Sequence, residues 1–117
     1  MKKYSMFIGR WQPWHEGHRW LIDQRLKKGK NVWIAIRDVE PNKDQPWTAE
    51  EVFNNLKNEL SDLLNEGKIK ISVIPDIESV NYGRGVGYDI IEHVPPNSIK
   101  EISATKIREG LREEGKL

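Results

Sequence analysis

The sequence predicts a single α/β domain that spans residues 1–117 and contains a parallel sheet with helices on both faces. Strand-like and helix-like segments alternate along most of the chain, which is the pattern of strand–helix–strand units with parallel strands. A continuous β-favouring run, Asn31 to Arg37 (NVWIAIR), is typical of a strand covered on both faces. The length of 117 residues allows one compact domain with its own core but not two.

The first two predicted strands are joined by a helix. Tyr4 to Gly9 is a short apolar run that ends in glycine, as a buried strand does. Gly17 to Lys28 carries apolar residues at near-helical spacing, and Gly29 stops the helix. Asn31 to Arg37 is the second strand, and Asp38 to Trp47, with two prolines and three acids, is predicted to be a loop.

A second helix and a third strand follow this loop. Thr48 forms a capping box with Glu51, three residues later, and an apolar stripe from Val52 to Leu64 continues the helix. Ile69 to Ile74 is the third predicted strand. Asp76 to Gly87 is polar and rich in glycine, and contains no clear element.

The C-terminal part of the chain is predicted to complete the sheet. Tyr88 to His93 suggests a helical turn that Pro95 and Pro96 close. Ile99 to Ile102 is predicted to be a short fourth strand, and Ser103 begins a final amphipathic helix. Polar motifs therefore follow both the first and the last strand, at the sheet edge where α/β proteins bind ligands.

The composition excludes several classes of function. With 19 basic and 18 acidic residues, the formal charge is +1, which gives no reason to expect a nucleic-acid or membrane partner. The absence of cysteine excludes disulfides, thiolate metal sites and cysteine nucleophiles. The apolar run after Lys3 is broken at Arg10 and is too short for a signal peptide, and no run approaches the roughly 20 residues of a membrane span. We therefore expect a cytoplasmic protein.

The segment Gly9 to His18 (GRWQPWHEGH) is the strongest functional signal in the chain. His15 and His18 share a face of the first helical turn, and Arg10 adds a positive charge. Gly9 and Gly17 have no Cβ, so a phosphate can approach the backbone where the helix N-terminus favours an anion. The alternative is a pair of capping or surface histidines. Zinc would need three or four ligands, and because no carboxylates show a matching spacing we predict no metal ligands.

A second motif, Ile102 to Arg108 (ISATKIR), opens the last helix. Ser103 and Thr105 offer hydroxyl groups beside the backbone N–H groups of the helix N-terminus, and Arg108 lies one turn further on, where it could reach a terminal phosphate. The alternative is an ordinary N-cap followed by basic surface residues. The two motifs lie at opposite ends of the chain, as the two walls of one crevice would.

Together, GRWQPWHEGH and ISATKIR resemble the HxGH nucleotidyltransferase superfamily. The resemblance is closest to adenylyltransferases of the nicotinamide-mononucleotide type, whose motifs are GRFQPxHxGH and ISxTxxR, and QPWTAEEV resembles their PFTAGER segment. This resemblance implies transfer of a nucleotidyl group, preferably adenylyl, from a nucleoside triphosphate with Mg²⁺ to a phosphate-bearing acceptor, with release of pyrophosphate. ATP is the expected donor, and CTP the alternative.

The resemblance also implies roles for individual residues. By motif position, the catalytic residues are His15, His18 and Arg108: the imidazoles stabilise charge at the α-phosphorus, and the guanidinium binds the β- and γ-phosphates. The predicted nucleotide-binding residues are Gly9, Arg10, Gln12, Gly17, Ser103 and Thr105.

The acceptor is left open by the sequence. The stretch that resembles PFTAGER carries Glu50 and Glu51 near the family's arginine position. In the glycine-rich segment NYGRGVGY, Asn81, Arg84 and Tyr88 are candidates for binding the acceptor, and the alternative is a flexible loop.

We therefore expect one Rossmann-like domain with nucleotidyltransferase activity on a small phosphomonoester. The partners are the nucleoside triphosphate and this acceptor, with no nucleic acid and no membrane, and a homo-oligomer is compatible with the sequence. The alternative of another class is a module that binds or senses a nucleotide without turning it over.

Overall fold

The computed structural model describes residues 1–85 and 87–116. The elements are β1 (Tyr4–Gly9), α1 (Glu16–Leu26), β2 (Asn31–Asp38), α2 (Ala49–Glu59), α3 (Ser61–Asn65), β3 (Ile69–Pro75), α4 (Asn97–Lys100) and α5 (Ala104–Glu113). The three strands form one parallel sheet in the order β1-β2-β3. The predictions of an α/β fold and of a parallel sheet are therefore confirmed.

The core lies on one face of this sheet. Phe7, Ile34 and Ile71 are in register across the three strands, so their side chains point to the same side. The helices α1, α2 and α3 supply the opposing side of the core. The buried core residues are Phe7, Trp11, Ile22, Val32, Ile34, Ile36, Ala49, Val52, Leu56, Leu60, Leu63 and Ile69.

The opposite face of the sheet is partly exposed. Tyr4 and Met6 are 40% and 43% exposed, and the Trp33 indole there donates a hydrogen bond to Ser72 Oγ. Helices on both faces were predicted, and for residues 1–85 and 87–116 that prediction is wrong. Crossovers between parallel strands are almost always right-handed, and two such crossovers that run in the same direction, as the order β1-β2-β3 requires, place their helices on the same face.

The helical segment after Thr48 begins as predicted but is divided. Thr48 Oγ1 accepts a hydrogen bond from Glu51 N at 3.1 Å, and Glu51 Oε1 accepts one from Thr48 N at 3.1 Å, which completes the capping box. At Leu60 the backbone leaves helical geometry, with φ −116° and ψ 24°, and α3 starts there. The apolar stripe nevertheless packs on the sheet through both helices, since Leu56, Leu60 and Leu63 are all buried.

Two C-terminal predictions are wrong. The segment Tyr88 to His93 contains neither helix nor strand, and Ile99 to Ile102 is not a strand because its first residues belong to α4. Pro96 adopts φ −65° at the N-cap of α4, a geometry that starts a helix, and α4 packs against α1. Local sequence favoured a strand at Ile99, but packing against α1 decided the outcome.

No helix in the described part of the chain is both long and apolar enough to cross a membrane.

Candidate phosphate-binding site

Both sequence motifs contribute to one cavity of about 460 Å³, next to residues that follow or end β1 and β2. Its lining includes five predicted residues, namely Arg10, Gln12, His18, Thr105 and Arg108. It also includes four residues that sequence reasoning did not assign to the site, namely Trp11, Arg37, Gln45 and Ala104. The structure thus brings the two motifs, from opposite ends of the chain, to one cavity, as predicted.

The turn after β1 is fixed by the Trp11 side chain. Trp11 has a φ of 54°, in the left-handed region that bulky residues rarely adopt, and its indole Nε1 donates to Ala35 O at 3.1 Å. A Cβ on Gly9 would lie 2.9 Å from the Trp11 ring. The missing side chain of Gly9 therefore makes room for this buried indole. Gly9 was predicted to let a ligand approach, but it is Trp11 that occupies the space.

His15 and His18 form a reciprocal cap at the start of α1. His15 Nδ1 accepts from Gly17 N at 3.0 Å, and His18 Nδ1 accepts from His15 N at 3.3 Å. The two rings stack with their centroids 3.6 Å apart. This is the geometry of a capping box with imidazoles in place of the usual hydroxyl and carboxylate. The capping alternative is therefore confirmed, and among the described residues neither Nε2 atom has a hydrogen-bond partner.

Burial keeps both imidazoles neutral near pH 7. It lowers the pKa of His18 to about 3, with a further contribution from the neighbouring His15, and burial also lowers the pKa of His15. Because each Nδ1 accepts a hydrogen bond, each neutral ring carries its proton on Nε2. The pair thus offers N–H donors, and His18 is the one that lines the cavity.

The N-terminus of α1 is less available to an anion than the sequence suggested. Gly17 N already donates to His15 Nδ1, and a Cβ on Gly17 would lie 2.8 Å from His15 Cε1. Gly17 was predicted to admit a phosphate to the backbone, but in the structure it admits the His15 ring. The residues that line the cavity do not include His15, Gly9 or Gly17.

Gln12 acts as a clamp between two loops. Its Nε2 donates to Trp47 O at 3.0 Å, and its Oε1 accepts from Trp47 N at 3.1 Å. The residue is only 3% exposed. Gln12 was predicted to bind the nucleotide; it lies on the cavity wall, but its side-chain amide is already engaged at both ends.

Arg108 joins the last helix to the first motif. Its Nη1 donates to the carbonyl oxygen of Gln12, and its Nη2 lies 3.4 Å from Thr105 Oγ1. The residue is 6% exposed, and burial together with the nearby Arg112 lowers the pKa of its guanidinium. Arginine retains its charge in proteins, so Arg108 places a buried cation at the junction of the two motifs.

The first turn of α5 contributes backbone donors. Ser103 is the N-cap, and its Oγ accepts a hydrogen bond from Lys106 N at 3.1 Å. Its hydroxyl therefore caps the helix, which is the alternative interpretation of this motif given above. Within the described structure, the N–H groups of Ala104 and Thr105 make no hydrogen bond, and both residues line the cavity. Free N–H groups at a helix N-terminus suit an anion.

Arg37 is the clearest site residue that the sequence reasoning missed. It lies near the carboxyl end of β2, and its Nε and Nη2 bind Asp76 Oδ1 at 2.7 and 2.6 Å. Nη2 also donates to Ile77 O at 3.1 Å. The available signal was the position of a basic residue at the carboxyl end of a central parallel strand, where ligands bind. Gln45 had no such signal, and its Oε1 is buried in the described structure without a hydrogen-bond donor.

Three arginines line the cavity, and one of them, Arg37, is paired with Asp76. Arg10, Arg37 and Arg108 line it, and none of the lining residues is an aspartate or glutamate. Guanidinium groups, an imidazole N–H and helix N–H groups are the donors that bind phosphate oxygens. The arrangement therefore suits a polyanion such as a chain of phosphates.

The three candidate acceptor residues lie elsewhere. Asn81, Arg84 and Tyr88 are exposed and line neither this cavity nor the other main one. Asn81 Nδ2 donates to Ser79 Oγ at 2.8 Å. The structure does not bring these residues to the site, and their role stays a prediction.

Among residues 1–85 and 87–116, no group of three or more histidine, aspartate or glutamate side chains is placed to hold a metal ion. Comparison of the chain with protein-family models found no match, and comparison with curated proteins found no match either.

Proposed function

We propose that this protein is a nucleotidyltransferase with one Rossmann-like domain. It transfers a nucleotidyl group, preferably adenylyl from ATP, to a small phosphomonoester and releases pyrophosphate. The observation that carries the proposal is the contact of the Arg108 guanidinium with the Gln12 carbonyl, because it joins the HxGH motif and the ISATKIR motif in one cavity. Phosphoryl-type transfer depends mainly on positioning and electrostatic stabilisation, which such a cavity can supply.

In the proposed reaction an oxygen of the acceptor phosphate forms a bond to the α-phosphorus. The bond from that phosphorus to the oxygen bridging the α- and β-phosphates breaks, and its electron pair leaves with pyrophosphate. His18 donates from Nε2 to an oxygen of the α-phosphate as charge builds up there. Arg108 and the N–H groups of Ala104 and Thr105 hold the phosphates that leave, and Arg10 and Arg37 add charge along the same chain of phosphates.

Magnesium is part of the proposal as a companion of the nucleotide. Mg²⁺ is usually held by one or two carboxylates together with substrate phosphates and water, and since the described cavity lining has no aspartate or glutamate, the nucleotide phosphates would hold it here. When bound, it neutralises phosphate charge. The site is otherwise formed by this chain's own donors.

A second candidate function is that of a module that binds a nucleotide without turning it over. For the enzyme and for this module alike, CTP is the alternative to ATP. The reciprocal His15–His18 cap favours this candidate, since both rings already have a structural role. The proposed setting is the cytoplasm, with the nucleotide and a phosphomonoester as partners.

Pyrophosphate release tests the proposal. The protein is incubated with Mg²⁺ and either ATP or CTP, with a panel of phosphomonoesters, and pyrophosphate and the nucleotidylated product are both measured. We expect product with one nucleotide and at least one phosphomonoester, and a loss of about a hundredfold to a thousandfold in turnover for His18→Ala. Nucleotide binding without any product would support the sensing module instead, and an unchanged rate in His18→Ala would remove His18 from the site.

A further inference from the structure

A second cavity of about 420 Å³ shares Trp11 with the arginine-lined cavity, and we propose that it binds a small organic cation such as a quaternary ammonium group. The lining residues are Trp11, Pro13, Trp47, Glu51, Val52, Asn54 and Asn55. This site goes beyond the proposed function, because its binding does not depend on a nucleotide or on turnover.

The walls of this cavity are aromatic and apolar. Trp11 and Val52 are 5% and 3% exposed and form its buried part, while Trp47 is half-buried and Pro13 completes the apolar surface. Indole rings attract cations through their quadrupole and bind ammonium groups that carry alkyl substituents. An apolar wall with a few polar groups is the usual composition of a small-molecule site.

Glu51 is the charged side chain among the described residues that line this cavity, and it is exposed. Its Oε1 accepts from both Thr48 N and Thr48 Oγ1 at 3.1 Å, while its Oε2 makes no hydrogen bond within the described structure. No lysine or arginine is among the lining residues. The neighbouring cavity shows the reverse pattern, with three arginines and no carboxylate. The charged side chains that line the two cavities are therefore of opposite sign.

The groups that line the cavity are held in place before a ligand binds. The capping box fixes the Glu51 carboxylate, and Gln12 fixes the Trp47 backbone through its N–H and its carbonyl. The Trp11 indole is anchored by its hydrogen bond to Ala35 O. A site whose walls are already ordered loses less entropy when a ligand binds.

Tetramethylammonium is a suitable probe, with sodium as the control for ionic strength and tert-butanol as an uncharged molecule of similar size. In ¹H–¹⁵N spectra of the full chain, the indole N–H signals of Trp11 and Trp47 should shift and saturate with tetramethylammonium, while that of Trp20 stays in place. Trp47→Phe assigns its signal. A lack of saturable shifts, or equally tight binding of tert-butanol, would overturn the proposal.

Glu51→Gln and Glu50→Gln form a matched pair on the first turn of α2. Glutamine can still complete a capping box, so Glu51→Gln removes the charge from the cavity and keeps the helix start. We expect Glu51→Gln to weaken tetramethylammonium binding about tenfold, and Glu50→Gln, which does not line the cavity, to leave it unchanged. Equal effects of the two substitutions would show general attraction to an acidic surface, and no effect of Glu51→Gln would remove the carboxylate from the site; either result contradicts the proposal.

Discussion

Replacing Gln12 with methionine tests whether this residue is a structural clamp. Methionine is unbranched and similar in length, so Gln12→Met removes the polar atoms and nearly keeps the volume. The substitution leaves the N–H and the carbonyl of Trp47 without their partners at 3.1 and 3.0 Å. If the clamp holds the two loops together, the free energy of unfolding must fall.

The magnitude follows from the two hydrogen bonds and the burial of Gln12. Each bond contributes about 1 kcal/mol net, and leaving a buried polar group unpaired costs about 1–3 kcal/mol. Trp47 is half-buried, so water can reach part of its backbone, and a loss of about 2–3 kcal/mol is expected. A chain of 117 residues loses about 4 °C in Tm per kcal/mol, which gives a decrease of about 8–12 °C.

Urea unfolding followed by circular dichroism measures this loss, and a thermal scan measures the Tm. Gln24→Met on α1 is the control, because both hydrogen bonds of the Gln24 amide, to Trp20 O and from Lys27 Nζ, stay within α1 and its C-cap. A loss below about 0.5 kcal/mol for Gln12→Met, within the range of ordinary surface substitutions, would refute the clamp. If nucleotide affinity then fell while stability held, the Gln12 amide would be a ligand group as the sequence suggested.

The remaining predictions concern pH, an unassigned arginine and a glycine. Burial lowers the pKa of His18 to about 3 from its ordinary value of 6.5, so the unfolded chain binds the proton more readily. The free energy of unfolding should therefore be highest above pH 6.5 and decrease towards pH 3. Equal free energies of unfolding in urea at pH 7 and pH 4.5 would contradict this. Arg37→Gln should weaken the binding of inorganic triphosphate by tenfold or more, which corresponds to the loss of about one hydrogen bond to a charged group. Calorimetry measures this affinity, and an unchanged affinity would remove Arg37 from the site. Gly17→Ala should destabilise the protein by about 1 kcal/mol, because the new Cβ displaces the His15 ring from its cap. Gly110→Ala is the control and should not destabilise the protein, because Gly110 has open space around it. Equal effects of the two substitutions in thermal unfolding would count against this role of Gly17.

The reciprocal histidine cap shows how far the first motif could be understood from sequence. The i, i+3 spacing of His15 and His18 predicted a shared face at a helix start, and the structure has both there. The spacing could not tell whether the rings face a ligand or cap the helix. In the structure both Nδ1 atoms cap the helix, and only His18 also lines the cavity, where its Nε2 has no hydrogen-bond partner among the described residues.

The sequence by itself determined three of the four strands it predicted, the helices that follow the first two, the last helix, and the two polar motifs at the start and the end of the chain. These features depend on local patterns: apolar runs, helical spacing, the capping box at Thr48 and the glycine stops. Such patterns can be recognised without any knowledge of contacts between residues far apart in the chain.

Only the tertiary structure decided which side chains face the site. It placed Arg37 beside the two motifs and engaged the Gln12 amide with Trp47. It also filled the space beside Gly9 with the Trp11 indole and left one face of the sheet partly exposed. Each of these outcomes depends on contacts between residues far apart in the chain. Because packing and hydrogen bonding across such distances leave little periodic signal in the sequence, they become visible only once the chain is folded.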